Sequence, residues 1–294
     1  MQTFLDPIDR LTLSFILLLT AIILFFISSI AFWQQLILTY SLLALAIISL
    51  AALNKKAPGN RLFSIPHAFI PIIGVLIIFN SLGDIIPYIR QQYYDDVLIR
   101  IDHLLFAVHP TVWMERFNNS LLTALMQLAY ISYYVMPIAL GASLFLKDKN
   151  SEFETAVFTI LLCFYLSYIG YMLFPAVGPR FTLNHLQTED LQTEPMTRWI
   201  QQTLNSLEHN KADAFPSGHT AIALVTLFYA WKYRERALFR LLAPTVSALI
   251  VSTVYLRYHY VIDVFAGILL ALLTIFISPW MHRLFSGSPY QARG

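Results

Sequence analysis

Charged residues and cysteine are scarce in this chain of 294 residues. Asp, Glu, Lys and Arg make up 12% of it, half of the fraction of about 25% that soluble domains carry. The single cysteine, Cys163, has no partner in the chain, which excludes an internal disulfide and argues against a zinc–thiolate site. The net charge of +2 gives no indication of nucleic-acid binding. Since 57% of the residues are hydrophobic, water is not the main solvent of this protein.

The hydrophobic residues form long runs. A helix needs roughly 20 residues to cross a bilayer, and eight runs are candidates: 11–33, 34–53, 64–83, 120–146, 154–174, 217–233, 238–256 and 260–284. Only helices satisfy their own backbone hydrogen bonds in lipid at this length, so the predicted fold class is all-α, a polytopic integral membrane protein. The first run is too long for a signal-peptide core, and we expect it to be retained. Pro66 and Pro71 are expected near the start of the third helix, where proline is tolerated.

The positions of Lys and Arg predict the orientation, because cytoplasmic segments collect basic residues. With the N-terminus inside, the cytoplasmic segments hold 12 of these residues and the outer segments hold 7. Both termini are therefore predicted to be cytoplasmic, in a plasma membrane or a bacterial inner membrane. The outer segment 84–119 mixes aromatic and charged residues, which favours helices in the membrane interface, as a connector or as a substrate lid. No repeat or second soluble domain is evident, so residues 1–294 are predicted to form one membrane domain.

Three short polar clusters lie at the ends of predicted spans. They are residues 174–181 (FPAVGPRF), 214–220 (AFPSGHT) and 257–263 (RYHYVID). On the orientation derived from Lys and Arg alone, all three clusters fall on the outer face. The topology therefore predicts one site at one membrane face, built from His, Asp and Arg side chains.

His259 and Asp263 are four residues apart, which places both side chains on one face of a helix. A carboxylate in that position accepts a hydrogen bond from one imidazole nitrogen and leaves the lone pair of the other nitrogen available. Such a pair makes a nucleophile or a base. The alternative is that Asp263 only complements the dipole at the start of the last helix.

His219 falls in the first predicted turn of the sixth span, after Pro216, a residue suited to a helix start. Free N–H groups at such a start, helped by the absence of a side chain on Gly218, form an anion site. A histidine beside a bound phosphate can donate a proton to the departing oxygen. Alternatively, Ser217 caps the helix and His219 is an incidental interfacial residue; capping by Ser217 is compatible with both interpretations.

Arg180 and Arg257 are the predicted ligands of phosphate oxygens, since a guanidinium group binds them in pairs and offsets developing charge. A lone arginine here is more often an anchor that reaches toward lipid headgroups, but two arginines beside two histidines favour phosphate binding. Asp102 and Asp213 can join the outer site, although such residues are more often solvated in loops. No cofactor or metal site is predicted, because metal-ligand spacing is absent among the other outer histidines, His103, His109, His185 and His209.

At these clusters the sequence resembles the type-2 phosphatidic acid phosphatase superfamily. Residues 216–219 (PSGH) match its central signature, while Ser252, His259 and Asp263 match its last signature. Within the superfamily, the chain is most similar to the branch that includes inositol phosphorylceramide synthases and related bacterial proteins. The segments that carry this similarity are 101–110, 174–180 and 255–263. The resemblance covers roughly residues 64–280 and implies a six-helix catalytic core at 64–284, with residues 1–63 as two additional spans.

The chain departs from the superfamily pattern in three places. Leu173 stands where the first signature has a lysine, and Pro179 precedes Arg180 where the family has a proline after its arginine. Thr253 replaces the arginine of the last signature. Arg257 is expected to take over its function from a neighbouring position.

The resemblance implies a metal-independent mechanism at the outer face. His259, held by Asp263, would attack phosphorus and form a phosphohistidine, and His219 would protonate the leaving group. Water or a second alcohol would then accept the phosphoryl group, while the two arginines and the helix-start residues Ser217 and Gly218 hold its oxygens.

Two versions of the enzyme follow, and a third hypothesis has no chemistry. The protein is first interpreted as a phosphatase of lipid phosphates or polyprenyl (pyro)phosphates, and second as a transferase that moves a phospho-headgroup to an alcohol. A hydroxyl-rich acceptor pocket would reverse that order. A lipid transporter is disfavoured because ionisable residues are nearly absent from the span centres. The sequence indicates a lipid substrate and the bilayer as partners, no nucleic acid, and no particular oligomeric state.

Overall fold

The computed structural model describes residues 4–188 and 210–286, together with residues 191, 198, 199 and 202. Within these residues the regular structure is helical and contains no strand, as predicted. In chain order the helices are α1 Pro7–Phe25, α2 Trp33–Lys56, α3 Arg61–Ile89, α4 Asp95–Phe106, α5 Pro110–Trp113, α6 Ser120–Leu146, α7 Asn150–Leu173, α8 Pro179–Thr182, α9 Gly218–Lys232, α10 Arg236–Tyr255 and α11 Val261–Ser286.

Each of the eight predicted spans corresponds to one long helix. Seven of these helices are long and apolar enough to cross a membrane, which confirms an all-α polytopic membrane protein. The exception is α9, whose 15 residues reach only about 22 Å at a rise of about 1.5 Å per residue. The hydrocarbon core of a bilayer is about 30 Å thick.

The predicted bounds of the first and third spans were wrong. The first helix ends at Phe25, and residues 26–32 form a turn; this turn is itself apolar, so hydropathy does not separate it from the helix. The third helix begins at Arg61, because the side chain of Asn60 caps it by accepting the N–H of Leu62 at 3.0 Å. Pro66 and Pro71 therefore lie inside α3 and not near its start.

Helices α4 and α5, with the 3₁₀ turn Met114–Phe117 that follows, form a pair bent by 61°. The N–H of Tyr94, just before α4, donates to the carbonyl of Pro175 at 2.9 Å. Past the bend, Glu115 pairs with Arg257 at 2.8 Å. Both arms therefore reach the same end of the helix bundle, where they form the bent α4–α5 pair. Its position in the membrane interface stays a prediction.

Helix α7 is central in the bundle and packs against α1, α3, α6, α9 and α11. The two N-terminal spans belong to the same bundle, because α1 packs directly on α7. The rings of Phe15 and Tyr165 stack with centroids 4.4 Å apart, and the Tyr165 hydroxyl donates to Thr12 at 3.0 Å.

A buried carboxylate ties two connections together at the other end of the bundle, where α9 ends. Glu235 lies between α9 and α10, accepts hydrogen bonds from Ser143, Lys147 and Lys149, and is 3% exposed. Burial alone raises the pKa of Glu235, but the two ammonium groups and Ser143 outweigh it and lower the pKa to about 2.

Replacing Glu235 by glutamine is expected to lower the free energy of unfolding at pH 7 by about 2 kcal/mol, an amount discounted for the solvent around the lysines. The pKa is lower in the folded state, so the stabilisation is complete above about pH 4.5 and disappears as the pH falls toward about 2. Thermal unfolding in detergent at pH 7 and pH 3 measures the effect. The control is Asp148→Asn, at an exposed residue in the adjoining loop. Equal Tm values for Glu235→Gln and the parent at pH 7 would contradict the predicted stabilisation by Glu235.

Candidate active site

His259 is held by a backbone carbonyl. It lies two residues before α11, is 3% exposed, and its Nδ1 is 2.7 Å from the carbonyl oxygen of Ala214. A carbonyl oxygen only accepts, so Nδ1 carries the proton and Nε2 presents its lone pair. The carboxylate of Asp263 lies further from the same Nδ1, at 3.4 Å. The proximity expected from the His–Asp spacing is present, but the carbonyl of Ala214 makes the shorter contact.

Asp263 is fully buried in the first turn of α11. Its Oδ2 accepts the backbone N–H of Tyr260 at 2.9 Å, so the carboxylate also closes the turn that carries His259. Its other oxygen, Oδ1, has no hydrogen-bond partner among the residues that the structure describes. Asp263 therefore lies at the start of the last helix and also contacts His259, so the two alternatives for this residue are compatible.

His219 faces His259 across the site. Its Nδ1 is 3.4 Å from Nε2 of His259, and because that Nε2 presents a lone pair, the His219 nitrogen is the donor. The His219 ring lies against Tyr130 and Tyr133 of α6, with centroids 4.5 and 4.2 Å away. Its Nε2 is buried and makes no hydrogen bond within the described part of the chain. The two tyrosines fix the plane of the His219 ring and so hold its Nδ1 against His259.

Arg180 is joined to the histidines by a column of stacked side chains. The Tyr130 ring that contacts His219 also stacks on Tyr258 at 4.3 Å, and the Arg180 guanidinium lies over the Tyr258 ring, 4.5 Å from its centroid. The backbone N–H of Arg180 donates to the carbonyl of Arg257 at 2.9 Å. The first and third sequence clusters are thus in direct contact, as the topology predicts.

Arg257 is placed differently from Arg180. Its guanidinium donates to Glu115 at 2.8 Å and to Gln187 at 3.0 Å, so part of its hydrogen-bonding capacity is used by two acceptors of the protein. It has a left-handed backbone conformation, with φ of 67°. The contact with Glu115 orients Arg257 toward the bent α4–α5 pair. Phosphate binding by this residue stays a prediction.

The start of α9 is packed too tightly to offer many free N–H groups. Ser217 is the N-cap and accepts the N–H of Thr220 at 3.3 Å, as the capping alternative predicts. The N–H of Ser217 donates to the carbonyl of Asp263 at 3.0 Å. A Cβ on Gly218 would overlap the hydroxyl of Tyr171, so this glycine is required for packing. An anion site at this helix start stays a prediction for Ser217 and Gly218.

Two carboxylates of α4 contact the site; Asp102 was among the sequence candidates for it, and Asp95 was not. Asp95 accepts the N–H groups of Val177 and Gly178 at 3.0 and 2.9 Å. Asp102 accepts the N–H groups of Val261 and Ile262, both at 2.9 Å. Asp102 is 2% exposed, so its interpretation as a solvated loop charge was wrong.

The weaker candidates are dispersed. Asp213 lies beside His219 in the wall of an apolar cleft. The rings of His103 and His109 contact each other on the bent α4–α5 pair, with centroids 5.1 Å apart. His185 is exposed in a short turn, and His209 lies outside the described residues.

Comparisons with known proteins agree with this geometry. A sequence model of the PAP2 superfamily matches residues 96–277. A PA-phosphatase related-family protein of Dictyostelium discoideum is 27% identical over 177 residues, which are 52% of this chain and 31% of the relative. A phosphoinositol dihydroceramide synthase of Bacteroides thetaiotaomicron is 28% identical over 180 residues, 57% of this chain and 56% of the relative.

The chain thus spans about a third of the first relative and just over half of the second. No solved structure matches it significantly. The superfamily match covers more than half of the chain, and it contains the three clusters that meet around His219 and His259. The resemblance noted at those clusters is confirmed, and the protein belongs to the PAP2 superfamily.

Proposed function

We propose that the protein is a lipid phosphatase that works through a phosphohistidine on His259. The observation that carries the proposal is the pair of contacts at this ring: Nδ1 against the carbonyl of Ala214, and Nε2 toward Nδ1 of His219. The first contact fixes the tautomer of a nucleophile, and the second places a histidine that can carry a proton beside the phosphate that this nucleophile attacks.

The proposed reaction needs only water besides the lipid phosphate. Nε2 of His259 forms a bond to phosphorus while the bond from phosphorus to the leaving oxygen breaks, and His219 gives that oxygen a proton. Water then attacks phosphorus, the N–P bond breaks, and the proton of the water returns to His219. The phosphorylated ring of His259 is cationic, and Asp263 and the carbonyl of Ala214 stabilise it from the Nδ1 side. Arg180 is proposed to hold the phosphate oxygens.

An apolar cleft supports a lipid substrate. It lies between α3, α6 and α7, and it ends at Asp213 and His219. Leu76 of α3 and Ile138 of α6 form part of its walls and are 47% and 39% exposed on the outside of the bundle. The cleft therefore opens sideways, toward the position of the lipid tails, and a substrate whose tail lies in it has its phosphate beside the two histidines.

Phosphotransfer to an alcohol is the second candidate, favoured by the Bacteroides relative that is named a phosphoinositol dihydroceramide synthase. Tyrosines line the cleft, but the Tyr168 hydroxyl donates to the carbonyl of Val75 at 3.1 Å, and the remaining walls are mostly aliphatic or aromatic. The cleft resembles a site for a lipid tail more than a hydroxyl-rich acceptor pocket. For this reason hydrolysis stays first.

Turnover by the purified protein in detergent with EDTA tests the proposal. Lipid phosphates and diphosphates are offered alone and with inositol, diacylglycerol or ceramide. Release of inorganic phosphate without an acceptor supports the phosphatase, whereas headgroup transfer only in the presence of an acceptor supports the synthase. Folded protein that turns over none of these substrates would overturn both.

The cleft gives a prediction with a matched control one residue away. Ile72 lines the cleft, while Ile73 is exposed outside it. Ile72→Trp is expected to lower kcat/KM for a long-chain lipid phosphate at least about tenfold, or about 1.4 kcal/mol, because the indole occupies the space of the tail. A water-soluble short-chain ester should be affected little, and Ile73→Trp should resemble the parent. Equal losses for long and short substrates would show that the cleft does not hold the tail.

The orientation of the site is also a proposal. The chain enters α9 and α11 and leaves α7 and α10 at the site end of the bundle, while Lys147, Lys149 and Glu235 lie at the other end. Together with the excess of basic residues in the segments at that other end, this arrangement favours an extracytoplasmic active site and cytoplasmic termini.

A further inference from the structure

Helix α4 carries two buried carboxylates on one face. Asp95 and Asp102 are 5% and 2% exposed and are seven residues apart, which is close to two helical turns. Among the described residues, neither is hydrogen-bonded to or ion-paired with a lysine or arginine; their oxygens accept backbone N–H groups and, for Asp95, the hydroxyl of Tyr260. Burying a carboxylate is costly unless its charge is hydrogen-bonded. These donors therefore make α4 dependent on the segments that supply them.

Asp102 caps α11 from outside that helix. Its two oxygens accept the N–H groups of Val261 and Ile262, the first two residues of α11, each at 2.9 Å. The preceding N–H, of Tyr260, is taken by Asp263 itself. The backbone turn between His259 and Asp263 is thus fixed by one carboxylate within it and one carboxylate from α4.

Asp95 holds the other half of the site. Its oxygens accept the N–H groups of Val177 and Gly178, which come just before Arg180. The same carboxylate accepts the hydroxyl of Tyr260 at 2.9 Å, and Tyr260 directly follows His259. Asp95 therefore connects the loop of the arginine to the turn of the nucleophile.

We propose that Asp95 and Asp102 form a brace on α4 that sets the position of the Arg180 loop relative to the His259–Asp263 turn, and that both are positioning residues for phosphoryl transfer. This inference rests on the proposed function. The brace acts through position: its carboxylates accept backbone N–H groups and the Tyr260 hydroxyl, so they hold the nucleophile and the phosphate ligand at a fixed separation. A misplacement of about 1 Å in such a site can cost about a hundredfold in rate.

The test compares Asp95→Asn and Asp102→Asn with Asp96→Asn. Asp96 is the exposed neighbour on the same helix and serves as the matched control. An asparagine side chain offers one acceptor oxygen where each carboxylate uses two. We expect both buried variants to lose about a hundredfold in kcat, with KM for the lipid phosphate changed less than threefold, and the phosphohistidine to form correspondingly more slowly. Asp96→Asn should match the parent.

Rates are expressed per active site. The active sites are counted from the final amount of phosphohistidine, in samples stopped without acid because the intermediate is acid-labile. A role in stability alone would lower the yield and the Tm but leave kcat per active site at the parental value, which would overturn the brace. If the asparagine variants do not fold, Tyr260→Phe removes the hydroxyl that Asp95 accepts, together with its 2.7 Å hydrogen bond to Thr182. It is expected to lower kcat about tenfold, and a parental kcat would overturn the inference for Asp95.

The two proposals fail in different ways. A parent protein that shows neither turnover nor phosphohistidine contradicts the proposed function. A parent protein that turns over normally, beside Asp95→Asn and Asp102→Asn variants with equal kcat, contradicts the brace and leaves the function intact.

Discussion

Replacing His259 by alanine is expected to abolish turnover of lipid phosphate, with a loss of at least about a thousandfold in kcat. The reason is that Nε2 of this ring is the only site on which the proposed covalent intermediate can form. Phosphate release by the purified variant measures the loss. Acid-labile, base-stable labelling from a radioactive substrate should disappear in parallel.

His282→Ala is the control for that experiment, because His282 pairs with Glu154 at 2.8 Å, away from the site of His219 and His259. The control should retain the parental rate and the label. A His259→Ala protein that still becomes labelled would assign the nucleophile to another residue, and His219 would be the first to examine.

Replacing His219 by alanine is expected to produce a loss that depends on the leaving group. A general acid contributes about a hundredfold to ten-thousandfold when the departing alkoxide is a poor leaving group. For a lipid phosphate we expect a loss in that range. For an aryl phosphate such as p-nitrophenyl phosphate, whose phenolate departs without protonation, we expect less than about a tenfold loss. Rates for both substrates, measured with parent and variant, give the comparison.

A uniform loss across the two substrates would contradict the role of proton donor. It would instead indicate that His219 binds the phosphate or supports His259 through their 3.4 Å contact. His219→Gln retains a hydrogen-bond donor without a titratable ring, and it separates these two roles.

Much of the fold could be predicted because apolar length is a strong signal in a membrane protein. The eight runs fall on eight helices, since each helix must satisfy its backbone in lipid. The turn after Phe25 was missed because it is as apolar as the helices that it joins. The start of α3 was misplaced because Asn60 extends the helix upstream by its cap, a local hydrogen bond that hydropathy does not register.

The histidines could be predicted because their spacing, their motif and the topology indicate the same face. Asp95 could not, and for Asp102 the sequence left open whether it joins the site or is solvated in a loop. Their partners are backbone N–H groups of segments more than 80 residues away, and a backbone donor leaves no signature in the amino-acid sequence. Tyr130 and Tyr133 were missed for a related reason: an aromatic residue in a membrane helix is equally expected against lipid.

If the proposed substrate enters the cleft sideways, past Leu76 and Ile138, the opening changes which concentration governs the reaction. A substrate that enters from between the helices never leaves the bilayer, so its supply is set by its mole fraction among the surrounding lipids and not by its amount per volume of solution. Dilution of a micelle or vesicle with inert lipid should then slow the enzyme at constant total substrate, while dilution with buffer should not. Membrane composition would thereby control this protein directly, by setting how often a phosphorylated lipid passes the gap between α3 and α6.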